Sequence, residues 1–245
     1  MQLSLFQWIN IALLLILVTL FIRYLIILYL EKGLHPAEWE RLKKLKKLPK
    51  DLVRLEKRFH DKARFHTWFL QVERLKQEGI GGAFAELGVY KGESAEILHR
   101  MDPARTLHLF DTFTGFVQRD LSVETGEAAG YTTSHFADTS VREVTDRIGP
   151  DADLRIYQGY FPESAAKFNE SLALVNIDAD LYIPTRAALE LFYPLLQSGG
   201  VMFVHDHHGK WPGIMRAVSE FCKTIPETPV FIPDNFGTVI IVKNR

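Results

Sequence analysis

The chain has 245 residues, 47% hydrophobic and 24% charged, which excludes a disordered protein and allows one good-sized domain plus an appendage. Its formal net charge is -1, yet ten Lys and Arg crowd between Lys32 and Arg58 against four acids, leaving the remainder acidic. The single cysteine, Cys222, excludes an intrachain disulfide and a cysteine-rich zinc site, and accords with a reducing compartment.

In chain order the first element is an almost unbroken apolar run from Leu3 to Leu30, with Arg23 its only charge. A helix of about 20 residues crosses the hydrocarbon core of a bilayer, so residues 1–30 are expected to form a single-pass transmembrane anchor. Trp8 near one end, and Tyr24 and Tyr29 near the other, suit the two interfaces, and Arg23 can snorkel to leave Leu5 to Ile22 in the hydrocarbon. A cleaved signal peptide fits poorly: Met1 to Asn10 has no basic side chain, and Tyr29-Leu30-Glu31-Lys32 offers no small-residue cleavage site. The Lys/Arg excess after the span predicts that the bulk of the chain stays in the cytoplasm. Residues 31–63 read as a basic amphipathic juxtamembrane linker. Within it a helix over Ala37 to Lys47, bracketed by Pro36 and Pro49, carries Trp39, Leu42 and Leu45 near one face and is expected on the membrane surface. A basic stretch so placed points to membrane lipids and argues against a nucleic-acid partner.

Residues 64–245 are expected to form the globular domain. Strands are predicted at Ala83–Leu87, Thr106–Phe110, Leu154–Gln158, Leu172–Ile177, Val201–Val204, Val230–Ile232 and Thr238–Val242. Helices are predicted at Glu93–Met101, Val141–Ile148, Glu163–Asn169, Pro184–Leu196 and Gly213–Thr224. The alternation implies an α/β fold, a doubly wound, mostly parallel seven-stranded Rossmann-like sheet. The last two strands have no helix between them and suggest a hairpin carrying one antiparallel strand. Such sheets bind ligands beyond the carboxyl ends of their strands, so the polar residues there are the candidates for chemistry.

The first strand runs into Glu86-Leu87-Gly88-Val89-Tyr90-Lys91-Gly92-Glu93-Ser94. This is not the G-x-G-x-x-G spacing of a pyrophosphate cradle but an E-x-G-x-x-x-G form, suited to a methionine moiety. The second strand ends at Asp111, about 20 residues beyond the glycine turn, where a carboxylate can accept hydrogen bonds from a ribose diol. Gln158 and Gly159 end the third strand and are grouped with Glu86, Gly88, Tyr90, Gly92, Ser94, Asp111 and Asp178 as cofactor-binding candidates. The fourth strand ends in Asp178-Ala179-Asp180 and the fifth in His205-Asp206-His207-His208. Adjacent strands would bring Asp178 and Asp206 together, and two carboxylates there need a cation or a proton between them. Asp180 is expected to cap the following helix.

These motifs resemble the macrocin O-methyltransferase (TylF/MycF-type) group of class I, S-adenosylmethionine-dependent methyltransferases, from about Arg64 onward. The resemblance rests on Ala85–Gly92, Phe110-Asp111-Thr112-Phe113-Thr114-Gly115-Phe116, Ile177–Tyr182 and Leu196-Gln197-Ser198-Gly199-Gly200-Val201, in that order. It implies transfer of a methyl group from S-adenosyl-L-methionine to a sugar hydroxyl, assisted by Mg²⁺ or another divalent cation. The implied metal ligands are Asp178, Asp206 and the next residue, His207, where relatives typically carry Asp. Asp178, His207 and His208 are the candidate catalytic residues, Asp178 being preferred as the base. The anchor suggests a small-molecule or glycan acceptor near the membrane, lipid-linked glycans included. Self-association into a homo-oligomer is left open. Two other readings remain at this point. Asp178-Ala179-Asp180 also matches the D-x-D of metal-dependent glycosyltransferases, and a tethered domain can bind without turnover. The polar stretch from Gln118 to Ser140 exceeds an ordinary connection and is expected to be a lid made mobile by Gly126 and Gly130.

Overall fold

The computed structural model describes residues 4–244, so residues 1–3 of the expected anchor lie outside the described residues. The chain divides into two compact units, Met1–Lys47 and Leu48–Arg245. In the first, helix α1 (Leu5–Leu34) begins at a capping box: Ser4 Oγ accepts from the Gln7 N–H, and the Gln7 side chain accepts from the Ser4 N–H. Over Leu5–Tyr29 its mean hydropathy is 2.9 and none of the apolar window is buried. At 25 residues this segment is roughly 37 Å long, enough to cross a hydrocarbon core of about 30 Å. Helix α2 (Ala37–Lys44) stops three residues short of the expected Lys47. Lys46 enters the left-handed region (φ 54°) and the Lys47 N–H donates to the Leu42 carbonyl, a Schellman closure.

In the second unit α3 (Lys50–Arg58) and α4 (Lys62–Gln77) precede the sheet. The linker was expected to run to residue 63, whereas α3 belongs to the globular unit. The rest alternates: β1 (Ala83–Leu87), α5 (Glu93–Met101), β2 (Leu107–Asp111), α6 (Gln118–Leu121), α7 (Val141–Ile148), β3 (Leu154–Gln158), β4 (Leu172–Ile177), α8 (Tyr182–Leu195), β5 (Leu196–Val204), α9 (Pro212–Cys222), β6 (Val230–Ile232) and β7 (Thr238–Val242). The seven strands lie in the order β3-β2-β1-β4-β5-β7-β6. All neighbours from β3 to β5 are parallel, and β7 runs antiparallel to β5 and β6, so the closing hairpin is present as expected.

Strand alternation explains the layers. Ala85, Leu87, Val175, Ile177, Met202, Val204, Val239 and Ile241 form one core with Ala188, Leu189 and Phe192 of α8 and Val218 and Phe221 of α9. Helices α4 and α5 pack against β5 and β2, and every residue of β4, the central strand, is buried. The helix expected over Glu163–Asn169 is only a 3-10 turn, Glu163–Ala165. Phe161 and Phe168 beside it pack against Phe110 and Phe192 at ring separations of 5.2–5.9 Å. Tertiary packing of these rings overrides a short segment's helical preference.

At the carboxyl edge of the sheet Tyr90, Phe113, Asp180 and Asp206 all adopt positive φ, between 48° and 59°. Each lies two or three residues beyond β1, β2, β4 or β5. Strain of this kind is held in place by surrounding structure and gathers at ligand sites.

Candidate active site

A cavity of about 570 Å³ opens at this edge, lined by residues that follow all five parallel strands, together with Arg58, Phe59 and Arg64 from the preceding helices. Its position is the one expected of an open α/β sheet.

On the β1 side the two motif glycines serve the chain's own packing. At Gly88 (φ +85°) an added Cβ would lie 1.9 Å from the Asp178 carbonyl oxygen, and at Gly92 (φ +76°) it would meet Val144 at 3.0 Å. The Asp111 carboxylate is fixed by three backbone N–H donors: Val89 and Tyr90 to Oδ2 at 2.7 and 2.9 Å, and Phe113 to Oδ1 at 2.7 Å. A carboxylate has about four lone-pair directions, so Asp111 keeps acceptor capacity toward the cavity. Gly88, Tyr90, Ser94, Asp111, Gly159 and Asp178 line the cavity. Gln158 is exposed at the end of the β3 ladder and does not line it; Tyr160 and Phe161 take its place.

Glu86 is fully buried and lies beneath the cavity, not on its wall. Ser94 Oγ and Asn176 Nδ2 donate to its Oε1 at 2.5 and 2.7 Å. Burial pushes its carboxyl up to about 7, against these hydrogen bonds. A carboxyl raised on folding favours the fold most while protonated, and that advantage fades as pH rises from the unfolded value through about 7. Glu86→Gln, neutral throughout, is therefore expected to gain on the wild type between about pH 5 and about pH 8, by up to roughly 3 kcal/mol. Thermal melts across that range read it; a difference independent of pH counts against the assignment.

The ends of β4 and β5 hold the charged cluster. Asp178 Oδ2 accepts from Arg64 Nη2 at 2.6 Å, and His205 Nδ1 lies 2.9 Å from Asp178 Oδ1 and 3.2 Å from Asp206 Oδ1. Burial raises the Asp178 carboxyl, but the charges of His205 and Arg64 prevail and hold it well below the usual carboxylate range. Burial likewise opposes a charge on His205, yet Asp178 above all pushes it up to about 10. Asp180 is driven the other way: burial, then Asp206 and Asp178, raise its carboxyl well above the ordinary value. Asp180 also lines the cavity, whereas the cap residue of α8 is Leu181. The expected helix-capping role for Asp180 is thus corrected; Glu124 Oε1 accepts the Tyr182 N–H at 2.5 Å at that helix start.

Asp178, His205 and Asp206 offer ligand atoms all within 4.8 Å of one another. His207 is not in that group, and neither His207 nor His208 lines the cavity. The physical reason is the left-handed conformation of Asp206 (φ 59°), which breaks strand alternation beyond His205. His207 stands against Phe231 at 5.2 Å and His208 against Trp211 at 4.7 Å. Sequence reasoning also missed Arg64. It comes from α4, far from Asp178 in the chain, where Asp61 accepts its N–H at 2.9 Å and its guanidinium lies over Trp68 at 4.6 Å.

The segment between β2 and α7 covers one side of the cavity. Leu121, Ala128 and Leu181 form a small core with Phe116, Tyr131 and Trp211. Gly126, expected to confer mobility, is a packing position: an added Cβ would meet the Lys210 carbonyl oxygen at 2.4 Å, and the Glu127 N–H donates to that same oxygen at 2.8 Å.

A reversed final strand distinguishes a methyltransferase sheet from a plain dinucleotide-binding one, and here it closes a sheet whose β1 turn and β2 acid face a single cavity. The fold is that of a class I methyltransferase. Among solved structures it is similar to the O-methyltransferase NovP (TM-score 0.63, 22% identity, covering 75% of this chain and 81% of that one). It is also similar to CalS11, calicheamicin methyltransferase (TM-score 0.56, 22% identity, 72% and 78% covered).

The family described as macrocin-O-methyltransferase (TylF) matches residues 25–239, and the chain belongs to that family of S-adenosylmethionine-dependent O-methyltransferases. A relative from Streptomyces olivaceus, 8-demethyl-8-(2,3-dimethoxy-alpha-L-rhamnosyl)-tetracenomycin-C 4'-O-methyltransferase, is 28% identical over 177 residues, 61% of this chain and 66% of the relative. The match thus spans just under two thirds of that relative's length.

Proposed function

We propose that the protein methylates a hydroxyl group of a sugar-containing acceptor at a membrane surface, with S-adenosylmethionine as donor. The observation that carries this reading is one cavity joining the Gly88 turn and Asp111 to the acidic cluster of Asp178, Asp180 and Asp206. The Streptomyces relative is named for methylation of a sugar position, which supports a glycan acceptor. The apolar α1 and the basic residues after it support a single-pass anchor with the domain on the cytoplasmic side.

The reaction is an in-line displacement: the acceptor oxygen forms a bond to the sulfonium methyl, the carbon–sulfur bond breaks, and the hydroxyl proton leaves to a base. The Gly88 turn, Ser94 and Asp111 align the donor, and alignment supplies much of the rate because the leaving group is already good. Asp178 is too well stabilised as an anion to be an effective base, so its part is to hold Arg64 and His205. Asp180 is the better proton acceptor: it lines the cavity, and its crowded acidic neighbours favour the protonated product.

The donor set fits a divalent cation. Three carboxylates crowd together closely enough to keep Asp180 hard to ionise, and oxygen donors suit Mg²⁺. Asp178 and Asp206 would hold it, its charge would let the neighbouring Asp180 ionise and take the hydroxyl proton, and His205, protonated beside Asp178, would not ligate it. When bound, the cation would lower the pKa of the acceptor hydroxyl.

Full-length protein in detergent tests the reading by calorimetric titration and an acceptor screen with labelled methyl donor. S-adenosylmethionine is expected to bind, UDP-sugars not, with label passing to glycans and best to lipid-linked ones. Chelation should depress turnover and Mg²⁺ restore it. Failure to bind S-adenosylmethionine at about 1 mM would remove the proposal.

A further inference from the structure

We propose that one rim of the cavity, made by β6, the turn after it and the end of α3, docks on an anionic lipid bilayer, so that the acceptor enters from the membrane. This rests on the reading of α1 as a membrane span.

Strand β6 is the outermost strand, paired on one side only. Edge strands are ordinarily blunted by charge, yet this one exposes Val230 by 61% and Phe231 by 64%, and Phe236 beyond it by 45%. Ile232 pairs with Thr238 and Val239 with Val204, so β6 ends at the carboxyl edge of the sheet. Phe236, Arg58 and Phe59 all line the cavity. Asp61 Oδ2 accepts the Asn235 N–H at 2.8 Å, and Asn235 Nδ2 lies 3.3 Å from His60 Nδ1, which joins the end of α3 to the turn after β6.

The carboxyl end of α3, which reaches the rim at Arg58, exposes Lys57 and Arg58 there, and Lys50 and Arg54 are exposed further back along the same helix. Its acids do not offset them outward: Glu56 is buried, and Asp51 meets Arg100 at 3.0 Å. Asp234 in the turn accepts from the Thr238 N–H at 2.8 Å. Exposed aromatic side chains next to unopposed cations match an interface of acyl chains beneath anionic headgroups. A second copy of the chain fits less well. A two-fold contact through β6 would bring the same basic helix from each copy toward one interface, where like charges repel.

The test uses the full chain with Cys222→Ser, carrying a nitroxide at Phe231→Cys or, as a control at the opposite edge of the sheet, at Asp151→Cys. The protein is reconstituted in phosphatidylcholine vesicles with and without phosphatidylglycerol, and integration is checked by flotation and resistance to carbonate. In phosphatidylglycerol vesicles the label at 231 is expected to relax with oxygen and to be several-fold less accessible to a nickel chelate than the control. The pair Arg54→Glu and Lys57→Glu should return it to nickel-accessible water. A 231 label as nickel-accessible as the control in floating vesicles overturns the docking and leaves the anchor standing. Dipolar broadening between copies at 231 overturns it in favour of self-association. A chain that does not float removes the anchor, and the docking with it.

Discussion

Replacing Asp178 with alanine is expected to cut methyl transfer by about 10³-fold or more while S-adenosylmethionine binding stays measurable. Asp178 is the one carboxylate that touches both cations of the site, Arg64 Nη2 at 2.6 Å and His205 Nδ1 at 2.9 Å. Without it Arg64 loses its partner and His205 the charge that keeps it protonated, so neither is held where the acceptor must be oriented, and loss of an ion-pair partner at a largely buried site lowers stability by roughly 3 kcal/mol. The contacts proposed for the donor lie elsewhere, on the β1 turn and Asp111, so binding and turnover should separate. Single-turnover transfer, calorimetry and a thermal melt on the same preparation distinguish lost chemistry from lost fold. Asp178→Asn refines the test: it keeps the shape but turns an N–H toward Arg64, so it should fall nearly as far as alanine. Full turnover in either variant would end the assignment of Asp178 to the reaction.

The strands were legible because each is a short apolar run ending in polar residues, and the bounds of β1, β3, β4, β6 and β7 coincide with the expected ones. Candidate residues at the ends of β1, β2, β4 and β5 followed from the same rule. What was illegible has a common physical origin. Arg64 reaches Asp178 from a helix that precedes the sheet, and no local pattern encodes a contact between residues 114 apart. His207 entered the ligand set through the resemblance, which implies a ligand just after Asp206; here Asp206 leaves extended backbone with a φ of 59°, and the ring that meets Asp178 is that of His205. Asp180 looked like a helix cap because it precedes an apolar helical pattern. Its own positive φ of 58° and the carboxylate of Glu124, brought in from the cover, decide otherwise. The expectation of mobility rests on its length and polarity, yet a few apolar side chains and Gly126, set close against the Lys210 carbonyl, tie it down.

Gly88→Ala is the other substitution with a large expected effect, and it bears on how the donor site is built. Glycine after a first strand is usually credited with letting backbone approach a ligand. Here the first body that a Cβ would strike is the protein: the Asp178 carbonyl oxygen lies 1.9 Å from it and the Asp178 carbonyl carbon 2.6 Å. Neither is a flexible side-chain end, so the turn must move away from β4. That movement is resisted by the hydrogen bonds from Gly88 N to Phe110 O and from Asp178 N to Leu87 O, at 3.0 and 2.8 Å. Left-handed backbone costs a non-glycine residue about 1–2 kcal/mol and overpacking about 1–3 kcal/mol. A loss of roughly 3 kcal/mol, or about 6–12 °C in melting temperature, is therefore expected. Displacing the turn also displaces the Val89 and Tyr90 N–H groups that hold Asp111, so affinity for S-adenosylmethionine should fall at least tenfold even where the variant remains folded. Calorimetry well below the melting temperature separates the two effects. A folded Gly88→Ala protein with wild-type affinity would show that the β1 turn and Asp111 do not grip the donor together.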